Sequence, residues 1–179
     1  MDTALIIIDV QRLLCEGRWA CEDADAVIAR LNQAIATARA AGAPVVFVQH
    51  EGQDPEDPMR HGQPGWALAP ALDLRPGDPV VAKTTCDSFH QTGLQALLER
   101  LQVRRLAIGG MQTDFCVDTT IRRALALGYP VALLDDAHTT VDNGVLTAAQ
   151  IRAHHGRTLS QIDSFGVRVQ PVAAADWRP

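Results

Sequence analysis

Several features that define whole classes of protein are missing from this sequence of 179 residues. No apolar run approaches the ~20 residues that a membrane-spanning helix requires, so a membrane role is not expected. No run of basic residues interrupts a net charge of −5, which argues against nucleic acid as a partner and for a small molecule. The four cysteines, Cys15, Cys21, Cys86 and Cys116, form no CxxC pair and no zinc-like spacing. Neither a disulfide framework nor a structural metal is therefore expected, and all four read as free thiols. The segment after the first apolar run, VQRLLCEG, contains no GxGxxG and no GxxxxGK, which disfavours nucleotide-binding versions of this beginning. Met1-Asp2 leads straight into a strand without a signal-peptide pattern, so the expected location is the cytoplasm.

What is present is a regular alternation of short apolar runs and amphipathic stretches, with no internal repeat, over a length that suits one domain spanning residues 1–179. Strands are expected at Ala4–Asp9, Val45–Gln49, Pro79–Ala82, Leu106–Ile108, Val131–Leu134 and Val167–Gln170. Helices are expected over Ala24–Ala41, with Val27, Ile28, Leu31, Ile35 and Ala38 on one face, over Gly93–Arg100 capped by Thr92, and around Leu146–Leu159. The Pro- and Gly-rich stretch from His50 to Asp78 reads as a long loop, a type of segment that is often functional in compact domains. Such alternation argues for a parallel sheet covered on both faces, with ligands bound beyond the carboxyl ends of the strands.

Residues 106–128, LAIGGMQTDFCVDTTIRRALALG, read as a buried strand closed by Gly109-Gly110 and a helix that ends at Gly128 as its C′ residue. Thr113 or Asp114 can serve as its N-cap. Cys116 then falls in the first turn, where unpaired N–H groups favour a thiolate and any oxyanion beside it. A free cysteine there is equally compatible with a small buried hydrophobe. Asp9 stands at the tip of the first strand and Lys83 at the end of the third, so an acid, a cation and a thiol converge on one rim. Taken singly, Asp9 also suits a loop-ordering carboxylate and Lys83 a solvated surface lysine.

Taken in order, LIIIDVQ, VVAKTTCDSF, GGMQTDFCVDTTIRRALALGY and LLDDAHTT make the chain resemble the isochorismatase-like cysteine hydrolases. That superfamily includes nicotinamidases and N-carbamoylsarcosine amidases, and the resemblance covers nearly the whole chain. It implies a Rossmann-like three-layer α/β/α sandwich around a six-stranded parallel sheet. It also implies a catalytic triad of Asp9, Lys83 and Cys116, and a cis peptide at Met111-Gln112 that aims the amides of Gln112 and Cys116 at one oxyanion. Homo-oligomers are common in the superfamily. Trp19, Trp66 and Trp177, all in expected loops or ends, supply aromatic surface for such an assembly.

Two departures refine the expectation. Isochorismatases proper generally lack the nucleophilic cysteine, so Cys116 points to the amidase branch. Nicotinamidases carry an Asp-x-His metal pair after the second strand, where this chain has Val48-Gln49-His50-Glu51. No metal and no cofactor is therefore expected. The implied reaction is hydrolysis of a C–N bond in a small amide, carbamoyl or ureido compound through a thioester on Cys116, with Asp9 as general base and Lys83 supporting the ion pair. An ordinary Asp near pKa 4 and a thiol near 8.5 differ by roughly 4.5 units, about 6 kcal/mol, which Lys83 and the helix terminus must close. Leu14, His50, Trp66, Phe89 and His138 are candidate pocket residues. Two alternatives remain: a Cys–His hydrolase using His138, and a non-catalytic ligand-binding or structural subunit on the same fold.

Overall fold

A computed structural model describes residues 2–179. Strand β1 is Thr3–Ile8, followed by a single helical turn α1, Arg12–Cys15, and a long helix α2, Ala24–Ala40. Strand β2, Val45–His50, leads through residues 51–79, which hold no helix or strand, into β3, Val80–Lys83. Helix α3 is Leu94–Arg100 and β4 is Arg105–Met111. A π-helical turn, Thr113–Val117, runs into α4, Asp118–Ala126. The chain closes with β5, Val131–Thr139, α5, Ala148–Ser160, and β6, Val169–Val172. All pairings are parallel and the sheet order is β3-β2-β1-β4-β5-β6.

The alternation of side chains along β1 explains why helices cover both faces. Leu5 and Ile7 pack with Val27, Leu31 and Ile35 of α2, while Ala4, Ile6 and Ile8 pack with Leu94 and Leu98 of α3 and Ile121 and Leu125 of α4. The 3.6-residue spacing on α2 buries Val27, Ile28, Leu31 and Ile35, each contributing about 1.5–3 kcal/mol of transfer free energy. Because the strand order reverses on either side of β1, the crevice between the ends of β1 and β4 is the topological switch point.

The two glycines expected to close β4 are part of it. Gly110 adopts φ +127, and a Cβ there would fall 2.1 Å from the Ile8 carbonyl oxygen, so only glycine lets β4 lie this close to β1. Strand β5 also runs further than its apolar residues suggest. Ile108 pairs with Leu133 but Gly110 with His138, so Asp135 to Ala137 bulge out of the ladder before pairing resumes. Strand β6 lies two residues later than expected and includes Pro171, which an edge position tolerates.

Capping differs too. Neither Thr113 nor Asp114 caps its helix: the Thr113 hydroxyl pairs with His138 Nδ1 at 2.8 Å, and Asp114 accepts from the Thr140 hydroxyl at 2.6 Å. Helix α3 starts one residue later than expected, with Gly93 and not Thr92 at its N-cap, although the Thr92 hydroxyl still accepts the N–H of Leu94; Gly128 ends α4 at φ +86, as expected. Helix α5 begins with a capping box between Thr147 and Gln150. No described helix is long and apolar enough to cross a membrane.

Candidate active site

The backbone places three chemically different side chains at the switch point. Asp9 leaves β1 in the left-handed region at φ 50, its N–H bonded to Val48 O and its carbonyl to the N–H of Gln11. A non-glycine residue held there is sparsely populated and is kept by its surroundings. Lys83 ends β3 in register with His50 and is 2% exposed. Cys116 lies in the π-helical turn after β4, which closes on Gln112: the N–H groups of Phe115 and Val117 both donate to its carbonyl. The Met111-Gln112 peptide before this turn is cis, as the resemblance implied.

Lys83 Nζ ties the three together. It donates to Asp9 Oδ2 at 2.6 Å, to Thr85 O at 3.0 Å and to Cys116 Sγ at 3.2 Å, which accounts for the three hydrogens of an ammonium. His50 Nδ1 is a fourth neighbour at 3.4 Å. Asp9 Oδ1 is buried without a hydrogen-bond partner, leaving acceptor capacity beside the thiol.

The electrostatics of the group are uneven. Burial pushes the Cys116 thiol up, Asp9 adds to this, and Lys83 opposes it without reversing it. The resting nucleophile candidate is therefore a neutral thiol, not the thiolate that helix position alone suggests. Burial pulls Lys83 down, but Asp9 and Cys116 beside it outweigh that and hold it above its ordinary value. Burial and then the Lys83 charge lower His50, which is neutral near pH 7. Burial raises Cys15 and Cys21 to about 12 each, so neither competes as a reactive thiol.

A cavity of about 220 Å³ opens on this cluster, lined by Asp9, Leu14, His50, Met59, Cys86, Gln112, Phe115 and Cys116. Two of the expected pocket residues, Leu14 and His50, are among them. Three are not. Phe89 is buried in the core and stacks on Tyr129, with ring centroids 6.1 Å apart. Trp66 lies against His61, and its carbonyl accepts from the side-chain amides of Gln11 and Gln49. His138 is 1% exposed and its Nδ1 is committed to the Thr113 hydroxyl, with Asp135 near Nε2 at 3.9 Å. No hydrogen bond or ion pair joins it to Asp9 or Cys116, so its polar partners are Thr113 and Asp135 and not the thiol.

Met59, Cys86 and Phe115 were not foreseen as lining residues. Cys86 follows β3 and Phe115 lies in the π-helical turn, whereas Met59 is carried by the long loop, whose start is held by Gln11. Its fully buried side chain donates to His50 O and Trp66 O and accepts the N–H of His50, clamping the loop to the end of β2. The only signal was the Gln that ends LIIIDVQ. The site does not suit the metal of nicotinamidases: Gln49 donates to Trp66 O, His50 Nδ1 faces an ammonium, and no group of three or more His, Cys, Asp or Glu among the described residues is placed to hold an ion.

A carboxylate, an ammonium and a thiol in mutual contact at the switch point of a doubly wound parallel sheet define a compact α/β protein with an enzyme-like cluster. Comparison with known proteins makes the class specific. The isochorismatase domain model matches residues 3–163, and the chain belongs to the isochorismatase family. Streptothricin hydrolase of Streptomyces noursei is 41% identical over 139 residues, 78% of this chain and 50% of that protein. The chain thus spans about half the length of that relative. Ureidoacrylate amidohydrolase of Pseudomonas syringae pv. syringae is 28% identical over 210 aligned positions, covering 96% of this chain and 85% of that one. Among solved structures, an isochorismatase family protein superposes with a TM-score of 0.86 at 38% identity, covering 96% of this chain and 98% of the other.

Proposed function

We propose that the chain is a cysteine hydrolase that cleaves the C–N bond of a small amide, carbamoyl or ureido compound through a thioester on Cys116. The observation that carries this is Lys83 Nζ bridging Asp9 and Cys116 while Asp9 Oδ1 remains free. The names of relatives, streptothricin hydrolase and ureidoacrylate amidohydrolase, support the same reaction class.

With a neutral resting thiol, the first step needs a base, and Asp9 is the carboxylate at hand. Asp9 takes the proton of Cys116 as the sulfur attacks the carbonyl carbon, and the C=O electron pair moves to oxygen. The N–H groups of Gln112 and Cys116 receive that oxyanion, and Lys83 stabilises the charge passing between sulfur and carboxylate. Collapse breaks the C–N bond, and the departing amine takes the proton from Asp9. A water molecule, deprotonated by Asp9, then attacks the thioester; the acid leaves and Cys116 regains its proton. Residues 1–179 act as one domain in this reading, and the protein is a homo-oligomer acting on a small molecule in the cytoplasm.

The test is ammonia release from a panel of amide, carbamoyl and ureido compounds by the wild type and by Cys116→Ala, Asp9→Asn and Lys83→Met. Each variant should lose most turnover. Asp9→Asn should remain unable to acylate at pH 9, where a purely structural carboxylate is bypassed by free thiolate. A His138→Ala protein that lost thiol reactivity while Asp9→Asn stayed active would move the base to the histidine and end the proposal.

A further inference from the structure

The cavity walls say more about the substrate than the reacting cluster does. Away from Asp9 and Cys116, the wall consists of Leu14, Met59, Phe115 and the Cys86 thiol, with His50 and Gln112 as the only other polar side chains. No arginine or lysine lines it among the described residues. Lys83, which bridges Asp9 and Cys116, is 2% exposed and has its hydrogens directed at Asp9, Thr85 O and Cys116. The further charge felt at the rim is negative: Asp57 lies close enough to His50 to favour its protonated form, and burial with the Lys83 charge still keeps that ring neutral. An anionic group brought into this space would lose its water, find no free cation and meet two carboxylates.

We infer that the substrate's acyl portion is apolar and carries no carboxylate: a neutral amide with a short branched or ring-sized acyl group seated on Leu14, Met59 and Phe115. A group of that size has room there, since ~150 Å³ of apolar cavity accommodates a benzene ring and this one, open on one side, offers about 220 Å³. His50 is the side chain that selects polarity, as a neutral ring facing the cavity rather than a counter-ion. This separates the chain from a relative named for ureidoacrylate, which is itself a carboxylate. The inference rests on the proposed amide hydrolysis for its substrate half but not for its binding half.

Two readouts keep these apart. The first compares kcat/KM for butyramide and succinamate, which differ by a methyl against a carboxylate. Butyramide should be favoured by on the order of 100-fold or more, and Leu14→Lys should narrow the gap at least tenfold by raising succinamate turnover. The second needs no turnover: the rate ratio of iodoacetate to iodoacetamide at Cys116, followed by peptide mass mapping and divided by the same ratio for a small free thiol. It should be depressed tenfold or more at Cys116 and raised by Leu14→Lys. If neither amide is hydrolysed, the ammonia-release panel decides the hydrolase reading and the alkylation ratio still decides the binding half of this inference. Succinamate turned over as well as butyramide, or an alkylation ratio at Cys116 equal to or above that of the free thiol, would overturn it.

Discussion

Replacing Lys83 by methionine tests whether the cluster at the switch point is an ion pair held out of water. The Lys83 and Asp9 side chains are 0% and 2% exposed, and their charged atoms are 2.6 Å apart. At an effective dielectric of about 20, that separation corresponds to a gross attraction of about 6 kcal/mol. Much of this only offsets desolvation, so the informative quantity is the loss on removing one partner, about 3–5 kcal/mol for a buried pair. For a domain of this size that lowers Tm by about 6–20 °C, while a typical stability of 5–15 kcal/mol leaves the variant folded at 25 °C. Asp9→Asn/Lys83→Met should recover part of the loss, because the uncompensated carboxylate is gone. The sign with pH follows from Lys83 being held above its ordinary value: its contribution is fully present below the unfolded pKa of ~10.4 and is lost as pH rises through the folded value. The difference between wild type and Lys83→Met should thus be flat from pH 7 to 9 and shrink only above about 10.4. Denaturant melts followed by circular dichroism give these numbers. A single-variant loss below about 1 kcal/mol, or a double variant that costs the sum of both singles, would refute the reasoning.

Three further outcomes are expected. Gly110→Ala should destabilise the protein by on the order of 3 kcal/mol or more, read from the denaturation midpoint, because the new Cβ meets the Ile8 carbonyl and φ +127 suits only glycine. Burial holds His138 below its ordinary pKa, so its contribution is full above the unfolded value near 6.5 and lost as pH falls; His138→Gln should flatten the stability loss between pH 6.5 and 5 without altering Cys116 alkylation. Light scattering at micromolar concentration should give a multiple of the chain mass, since Trp19, Phe115 and Phe165 expose half or more of their surface; a monomer mass contradicts this.

The part of this architecture that was legible in the sequence is the part set by strand ends. Asp9, Lys83 and Cys116 each follow a short apolar run, and in a parallel sheet those ends share one edge, so their convergence needed no knowledge of the loops. Features set by close approach were not legible. Gly109 and Gly110 look like punctuation, yet they are strand residues whose missing Cβ atoms admit Ile8 and Ala137. The bulge in β5 carries His138 into the space beside Thr113, which no spacing rule anticipates. Met59 reaches the cavity on the long loop, which Gln11 ties down at His50 and Trp66, and Phe115 reaches it on the π-helical turn, neither of which a spacing rule locates. Burial of Trp177, 3% exposed, likewise weakens the aromatic-surface argument for assembly that its terminal position suggested.

The most direct measurement of the central claim is mass spectrometry on a reaction quenched with acid during turnover of a hydrolysed amide. The account predicts an adduct with the mass of the acyl group on the peptide containing Cys116, cleaved by hydroxylamine as a thioester, and absent from Cys116→Ala, which should also be inactive. A Cys116→Ala protein with turnover near wild type, or an acyl adduct on any other residue, would contradict it.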